Sequence, residues 1–237
     1  MARIVRFLLA LALLPLCAAL PSALWSVVFS ASSVFAAEGV PGGGLWLIGG
    51  FLAFNLLMAF TPAPVRTYVL GHELTHALWA LLFGARVSNL KVATTGGSVT
   101  VSKSNVLITL APYFFPFYTA LVMLLACLVG LFVRPLPCIG GWLFAIGATW
   151  GFHVFFTVRA LRQRQPDVAE YGRLFSWAFI WLANLLGLFL ALWAATPLTG
   201  RQAVGAIAVA AGTAYRLVGA ATLQVVQLVV AHIGGGA

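Results

Sequence analysis

Acidic side chains are nearly absent from this chain. Asp and Glu together number four in 237 residues, and charged residues of both signs make up only 7%. No run of polar sequence is long enough for a separate soluble domain, and a composition 62% hydrophobic with a mean hydropathy of +1.06 excludes an ordinary soluble protein. So few acids also argue against a metal transporter, which needs ionisable groups spread along its path. Cysteine is scarce: Cys17, Cys127 and Cys138 sit in or beside apolar runs without Cys-x-x-Cys spacing, so they read as packing residues and say nothing of redox compartment. The thirteen Lys and Arg give a net charge of +9, but they are scattered at the ends of apolar segments. That pattern fits topology anchors and anionic headgroups and excludes a nucleic-acid patch.

What is present is a series of long apolar runs. They predict an all-α polytopic membrane protein of about six to seven transmembrane helices in one domain, residues 1–237. Residues 1–36 have a basic start, an apolar middle and a small-residue end, as a secretory signal has. The apolar character persists through Phe29 and Phe35, which favours a first membrane helix. A Gly/Pro turn over Gly39 to Gly44 and a helix from Leu45 to Phe60 follow, ended by Thr61-Pro62-Ala63-Pro64. Further helices are predicted over Tyr68 to Phe83, Asn105 to Val133 with an early interruption at Pro112 and Pro116, Ile139 to Leu161, Leu174 to Ala195 and Ala203 to Val230. Between Ala85 and Ser104 the period changes to two, and Gly96-Gly97 lies between alternating segments. This predicts a small β-hairpin with a Gly-Gly turn.

The stretch around which the chain is organised is Gly71-His72-Glu73-Leu74-Thr75-His76, a His-Glu-x-x-His motif on an apolar helix. Positions i and i+4 share a helix face, so His72 and His76 can offer two imidazoles to one metal ion. Glu73 can then take a proton from a water on that metal. Two histidines do not complete a catalytic zinc site, so a third ligand is needed. The candidates are Asp167, Glu170, His153, His232 and Glu38, with Asp167 preferred. On one straight helix His153 and Asp167 would lie about 21 Å apart, so they cannot share a metal. Asp167-Val168-Ala169-Glu170 also matches an N-terminal capping pattern, and Arg162, Arg164 and Arg173 could pair with Asp167. His153 is a core histidine, a substrate-binding residue or a group orienting a ligand. Asn105 and Asn184 can bind a substrate backbone or bond neighbouring helices.

The basic residues also predict orientation. Arg3 and Arg6 place the N-terminus in the cytosol, and two crossings return Pro62 to Arg66 to that side. His72 then lies about 9 Å further along the helix axis, inside the membrane near its cytosolic face. The Arg159 to Arg173 linker should be cytosolic too, so the motif helix and hairpin must dip in and return.

Gly71-His72-Glu73-Leu74-Thr75-His76-Ala77, followed by Gly84-Ala85-Arg86-Val87 and the glycine hairpin, resembles the site-2 protease family of intramembrane zinc metalloproteases. The likeness is specific over about residues 68–116. It implies Zn2+ held by His72, His76 and a distant aspartate, for which Asp167 is the candidate, with Glu73 activating water. Gln165-Pro166-Asp167 departs from the family's Leu-Asp-Gly context, and Asn105 with Leu110-Ala111-Pro112 only echoes its Asn/Pro/Gly element. The implied activity is hydrolysis of membrane-embedded peptide substrates, in a multi-pass protein of the cytoplasmic membrane. The alternative is a metal-binding scaffold without activity, a pseudoprotease.

Overall fold

The structure, a computed structural model, describes residues 2–37, 43–195 and 200–234. The predicted Gly/Pro turn therefore falls largely outside the described residues, as does Glu38. The chain is helical except for one hairpin. In order it forms α1 (Ala2–Ala37), α2 (Gly43–Phe60), α3 (Val65–Leu82), β1 (Val87–Ala93), β2 (Gly96–Val101), α4 (Val106–Phe114), α5 (Phe117–Phe132), α6 (Ile139–Arg162), α7 (Pro166–Tyr171), α8 (Arg173–Ala195) and α9 (Gly200–Gly234). Five of these helices, α1, α2, α6, α8 and α9, are long and apolar enough to cross a membrane. The pair α4–α5 makes a sixth if counted as one broken span. The interruption expected at Pro116 divides the run from Asn105 to Val133 into two helices bent by 75° at Phe115-Pro116, because Pro116 cannot continue a helical hydrogen-bond ladder, whereas Pro112 lies inside α4.

The chain divides into two compact units. One comprises residues 1–34 and 181–237. Its core is formed by Leu20, Ala23 and Val27 of α1 with Leu182, Leu185 and Phe189 of α8, against which Ala206, Ile207 and Ala210 of α9 pack. The Trp181 indole donates to the Cys17 carbonyl at 2.9 Å, and the Tyr215 hydroxyl donates to the Ala12 carbonyl at 2.8 Å. Each bond satisfies a polar tip on an otherwise apolar surface.

The second unit, residues 35–180, carries everything discussed below. Its scaffold is the α2–α6 pair. Apolar helices in lipid gain little from hydrophobic burial against each other, so close backbone approach through small residues has to hold them. A Cβ on Gly50 would lie 2.0 Å from the Phe144 carbonyl oxygen, and one on Gly147 would lie 2.0 Å from that of Leu47. Gly151 meets the Phe51 carbonyl and the Asn55 amide in the same way, at 2.9 Å.

Helix α3 is bounded by its own sequence. Pro64 precedes its first residue, and Gly84, at φ +68°, ends it. The Gly84 N–H donates to Leu81 and the Ala85 N–H to Ala80, the paired bonds of a Schellman cap. The hairpin follows directly. Its strands are antiparallel, with Val87 opposite Val101 and Ala93 opposite Gly96. The turn is Thr94-Thr95 rather than Gly-Gly, and both glycines open β2. The reason lies across the contact: a Cβ on Gly97 would stand 2.6 Å from Val69 Cγ1, 2.7 Å from Glu73 Cγ and 2.8 Å from Glu73 Oε1. The strand can lie on α3 at that point only without a side chain.

Gly147→Ala should lower the stability of the purified protein by about 1–3 kcal/mol, since the new methyl meets backbone that cannot step aside. Gly187→Ala on α8 enters open space and should be neutral or slightly stabilising. Thermal unfolding in detergent checks both, and equal midpoints for the two variants would exclude the close α2–α6 approach.

Candidate metal centre and its cavity

One face of α3 carries Tyr68, His72 and His76 at successive four-residue steps, with Glu73 beside them. The rings of His72 and His76 stand 4.9 Å apart, nearly perpendicular. Asp167 reaches the same point from the start of α7. Its Oδ2 lies 3.5 Å from His72 Nε2 and 3.6 Å from His76 Nε2. Among the described residues these three form the only group of His, Cys, Asp or Glu side chains placed to share a metal ion, with donor atoms all within 4.8 Å of one another.

The donor set fits zinc. Three protein ligands of nitrogen and oxygen type are the usual complement of a catalytic zinc. Donors about 2.1 Å from a tetrahedral ion stand about 3.4 Å from each other, close to the two separations seen here. All three side chains are mostly shielded, His72 at 11%, His76 at 12% and Asp167 at 24% exposure. Burial alone would raise the Asp167 pKa, but the facing imidazoles of His72 and His76 outweigh it and hold the carboxyl below its ordinary range. The carboxylate form, which binds metal, is the one this pocket favours.

The three side chains are themselves held. His76 Nδ1 donates to the Ile108 carbonyl at 2.9 Å, which leaves Nε2 free to face Asp167. Local sequence explains why that carbonyl is open. Its helical partner would be the N–H of residue 112, and Pro112 has none. A proline inside a buried helix thus releases one acceptor, and a histidine of α3 takes it. Asn105 caps the same helix by accepting from the Ile108 N–H at 2.9 Å. The Tyr68 hydroxyl lies 3.3 Å from His72 Nδ1, and its ring stacks on Phe156 at 4.5 Å. The Tyr113 hydroxyl donates to Asp167 Oδ2 at 2.9 Å, and its ring meets His72 edge-on at 5.3 Å. Helix α7 is anchored by the buried Val168 side chain and by Ser176 Oγ donating to the Val168 carbonyl at 3.0 Å.

The cluster opens on a cavity of about 660 Å3. His72, Glu73, His76 and Asp167 lie along it, Thr94 to Val99 of the hairpin form one wall, and Arg159, Gln163 and Gln165 form part of the rim. Glu73 is buried, with its carboxylate against Gly97. A second, water-sized space of about 20 Å3 lies behind His72, bordered by Thr75, Tyr118 and His153.

The candidates named from sequence separate clearly. His72, Glu73, His76 and Asp167 meet in one place. Glu170 is exposed but lines the same cavity, whereas His153 is buried beside the smaller one. Asn105 is a helix cap and does not line either cavity. His232 is exposed near the end of α9, and Asn184 is half-buried on α8, both in the other unit. Asp167 does not cap its helix: Gln165 holds the cap position and Pro166 the first turn, where its missing N–H is harmless. Tyr113 and Ile108 were not singled out by sequence. A buried tyrosine in an apolar helix looks like packing, and a main-chain carbonyl has no signature beyond the proline four residues on.

A hairpin-walled cavity holding a His/His/Asp cluster, set among apolar helices long enough to cross a membrane, is the arrangement of a membrane metallopeptidase. The sequence model of the Peptidase M50B-like family matches residues 43–164, just over half of the chain, and the chain belongs to that family of site-2 protease-type membrane metallopeptidases. No curated protein and no solved structure matches it.

The triad makes a direct demand on metal content. Asp167→Ala should strip zinc from the purified protein, while Glu170→Ala, on the same cavity but outside the cluster, should keep it. Metal analysis after exhaustive dialysis reads the difference, and equal zinc in both variants would remove Asp167 from the ligand set.

Proposed function

We propose that the protein is an active zinc endopeptidase that hydrolyses peptide bonds of membrane-embedded substrates. The observation that carries this reading is the convergence of His72, His76 and Asp167 within 4.8 Å, with Glu73 on the wall of the same cavity. Zinc held by the three ligands would supply Lewis acidity, which lets water lose a proton near neutral pH and polarises a peptide carbonyl. Glu73 accepts the proton of the attacking water and returns it to the leaving amine. Its seat between α3 and the hairpin keeps bulk water from competing for the carboxylate.

A transmembrane substrate has to unwind before its carbonyls become accessible. The hairpin supports that step. Its two-stranded sheet leaves outer edges unpaired, and Thr94 to Val99 run along the cavity. An extended peptide can add there as a further strand, held by main-chain bonds. His153, beside the smaller space behind His72, and Asn105, capping α4, support the site from outside the cavity. The distribution of Lys and Arg favours a cytoplasmic membrane with the cavity near the cytosolic face.

Glu73→Gln should reduce cleavage of a membrane substrate by about 10²–10⁴-fold while zinc stays bound. Retained proteolysis in that variant would rule out the assignment. Zinc binding by the natural chain without turnover of any membrane substrate would instead make it a scaffold. Gly97→Ala should lower turnover by up to about 10²-fold with zinc retained, because the added methyl displaces the Glu73 carboxylate. Unchanged turnover would show that the hairpin does not fix the base.

A further inference from the structure

We propose that Tyr113 is a positioning residue for the metal site, holding Asp167 in its ligating orientation from a different helix. The inference rests on the metal reading above and extends it to a residue that no motif marks.

Asp167 is the ligand with the weakest support from its own element. His72 and His76 project from an 18-residue helix whose register fixes both rings, whereas Asp167 sits in the first turn of a six-residue helix. A carboxylate there can rotate about two side-chain bonds, and three arginines, Arg162, Arg164 and Arg173, lie close in sequence. Yet Oδ2 stands almost equally far from the two imidazoles, at 3.5 and 3.6 Å. The Tyr113 phenol donates to that same oxygen at 2.9 Å.

Tyr113 is suited to this task. Its side chain is the largest of the completely buried ones among the described residues, so no solvent competes for the hydroxyl. Its ring is fixed by Leu110, Ala160, Val168 and Ile180 and by the edge-on contact with His72. A hydrogen bond from a rigid neutral donor to a charged acceptor is among the stronger kinds, and here it is directed at the oxygen that faces the ligand nitrogens. Ser176 holds the α7 backbone through the Val168 carbonyl, while Tyr113 holds the carboxylate. The hydroxyl also draws electron density from the donor oxygen, which makes a bound ion more acidic.

Stripped protein titrated with Co2+ in detergent tests this without reference to catalysis. Tyr113→Phe, which removes one oxygen and keeps the ring, should weaken Co2+ binding by about 10- to 100-fold and alter the visible absorption of the bound ion. In an Asp167→Ala background, where the weaker binding by His72 and His76 alone is read at higher Co2+, the same substitution should weaken binding no further, since the group it acts through is gone. Wild-type affinity and spectrum in Tyr113→Phe would overturn the proposal, as would an equal loss in both backgrounds. A lower unfolding temperature of the metal-free Tyr113→Phe protein with unchanged Co2+ affinity would assign the residue to packing alone and overturn it too. If the natural chain itself binds no Co2+, the zinc reading fails as well. If it binds and only the Tyr113→Phe result is negative, the zinc reading stands without this residue.

Discussion

The structure depends on the satisfaction of one partly buried carboxylate. An anionic side chain shielded from water among apolar helices is unfavourable unless opposing groups surround it. Asp167 meets that condition through two imidazoles from α3 and a phenol from α4. Each partner needs its own support. His76 is turned by a carbonyl, that carbonyl is open because of a proline, and α4 begins where it does because Asn105 caps it. The hairpin closes the arrangement on the side of Glu73. Helix α6, packed closely on α2, contributes Phe156, Arg159 and Ala160 to the cavity.

Much of this was legible in the sequence, for physical reasons. Hydropathy over long windows reports helices that face lipid, and the spacing of His72 and His76 reports a shared face, because both are local properties. The change of period between Val87 and Val101 reported the hairpin in the same way. The details that went astray were decided by tertiary contacts. Gly96-Gly97 looked like a turn, but Gly97 is needed where β2 lies against Val69 and Glu73, so the turn moved to Thr94-Thr95. The prolines at 112 and 116 marked an early interruption of the run from Asn105 to Val133, but the size of the bend, 75°, is set by the geometry at Phe115-Pro116.

Asp167 illustrates the same limit at the site. Read locally, Asp-Val-Ala-Glu after Pro166 is a capping sequence, and nothing in that tetrapeptide indicates two histidines more than ninety residues earlier. The contact follows from α7 being pinned by Val168 and Ser176. Tyr113 lies 54 residues from the carboxylate it bonds and could not be told from a core aromatic by sequence. Pro112 is the exception that local reasoning could have caught. A proline four residues after an isoleucine inside a helix leaves one carbonyl without a donor, whatever the rest of the chain does.

The short lengths of α4 and α7 have a consequence for how the protein tolerates its surroundings. At 1.5 Å per residue these helices are about 14 and 9 Å long, well under a hydrocarbon core of about 30 Å. Helices that cross a bilayer tilt or bend when its thickness changes. Two of the three elements that build the cluster are too short to be levered in that way, and α5, which does extend far, joins α4 through a 75° corner. A change in bilayer thickness would tilt or bend spanning helices before it acted on α4 or α7, so Tyr113 and Asp167 are expected to keep their contact in membranes of different thickness.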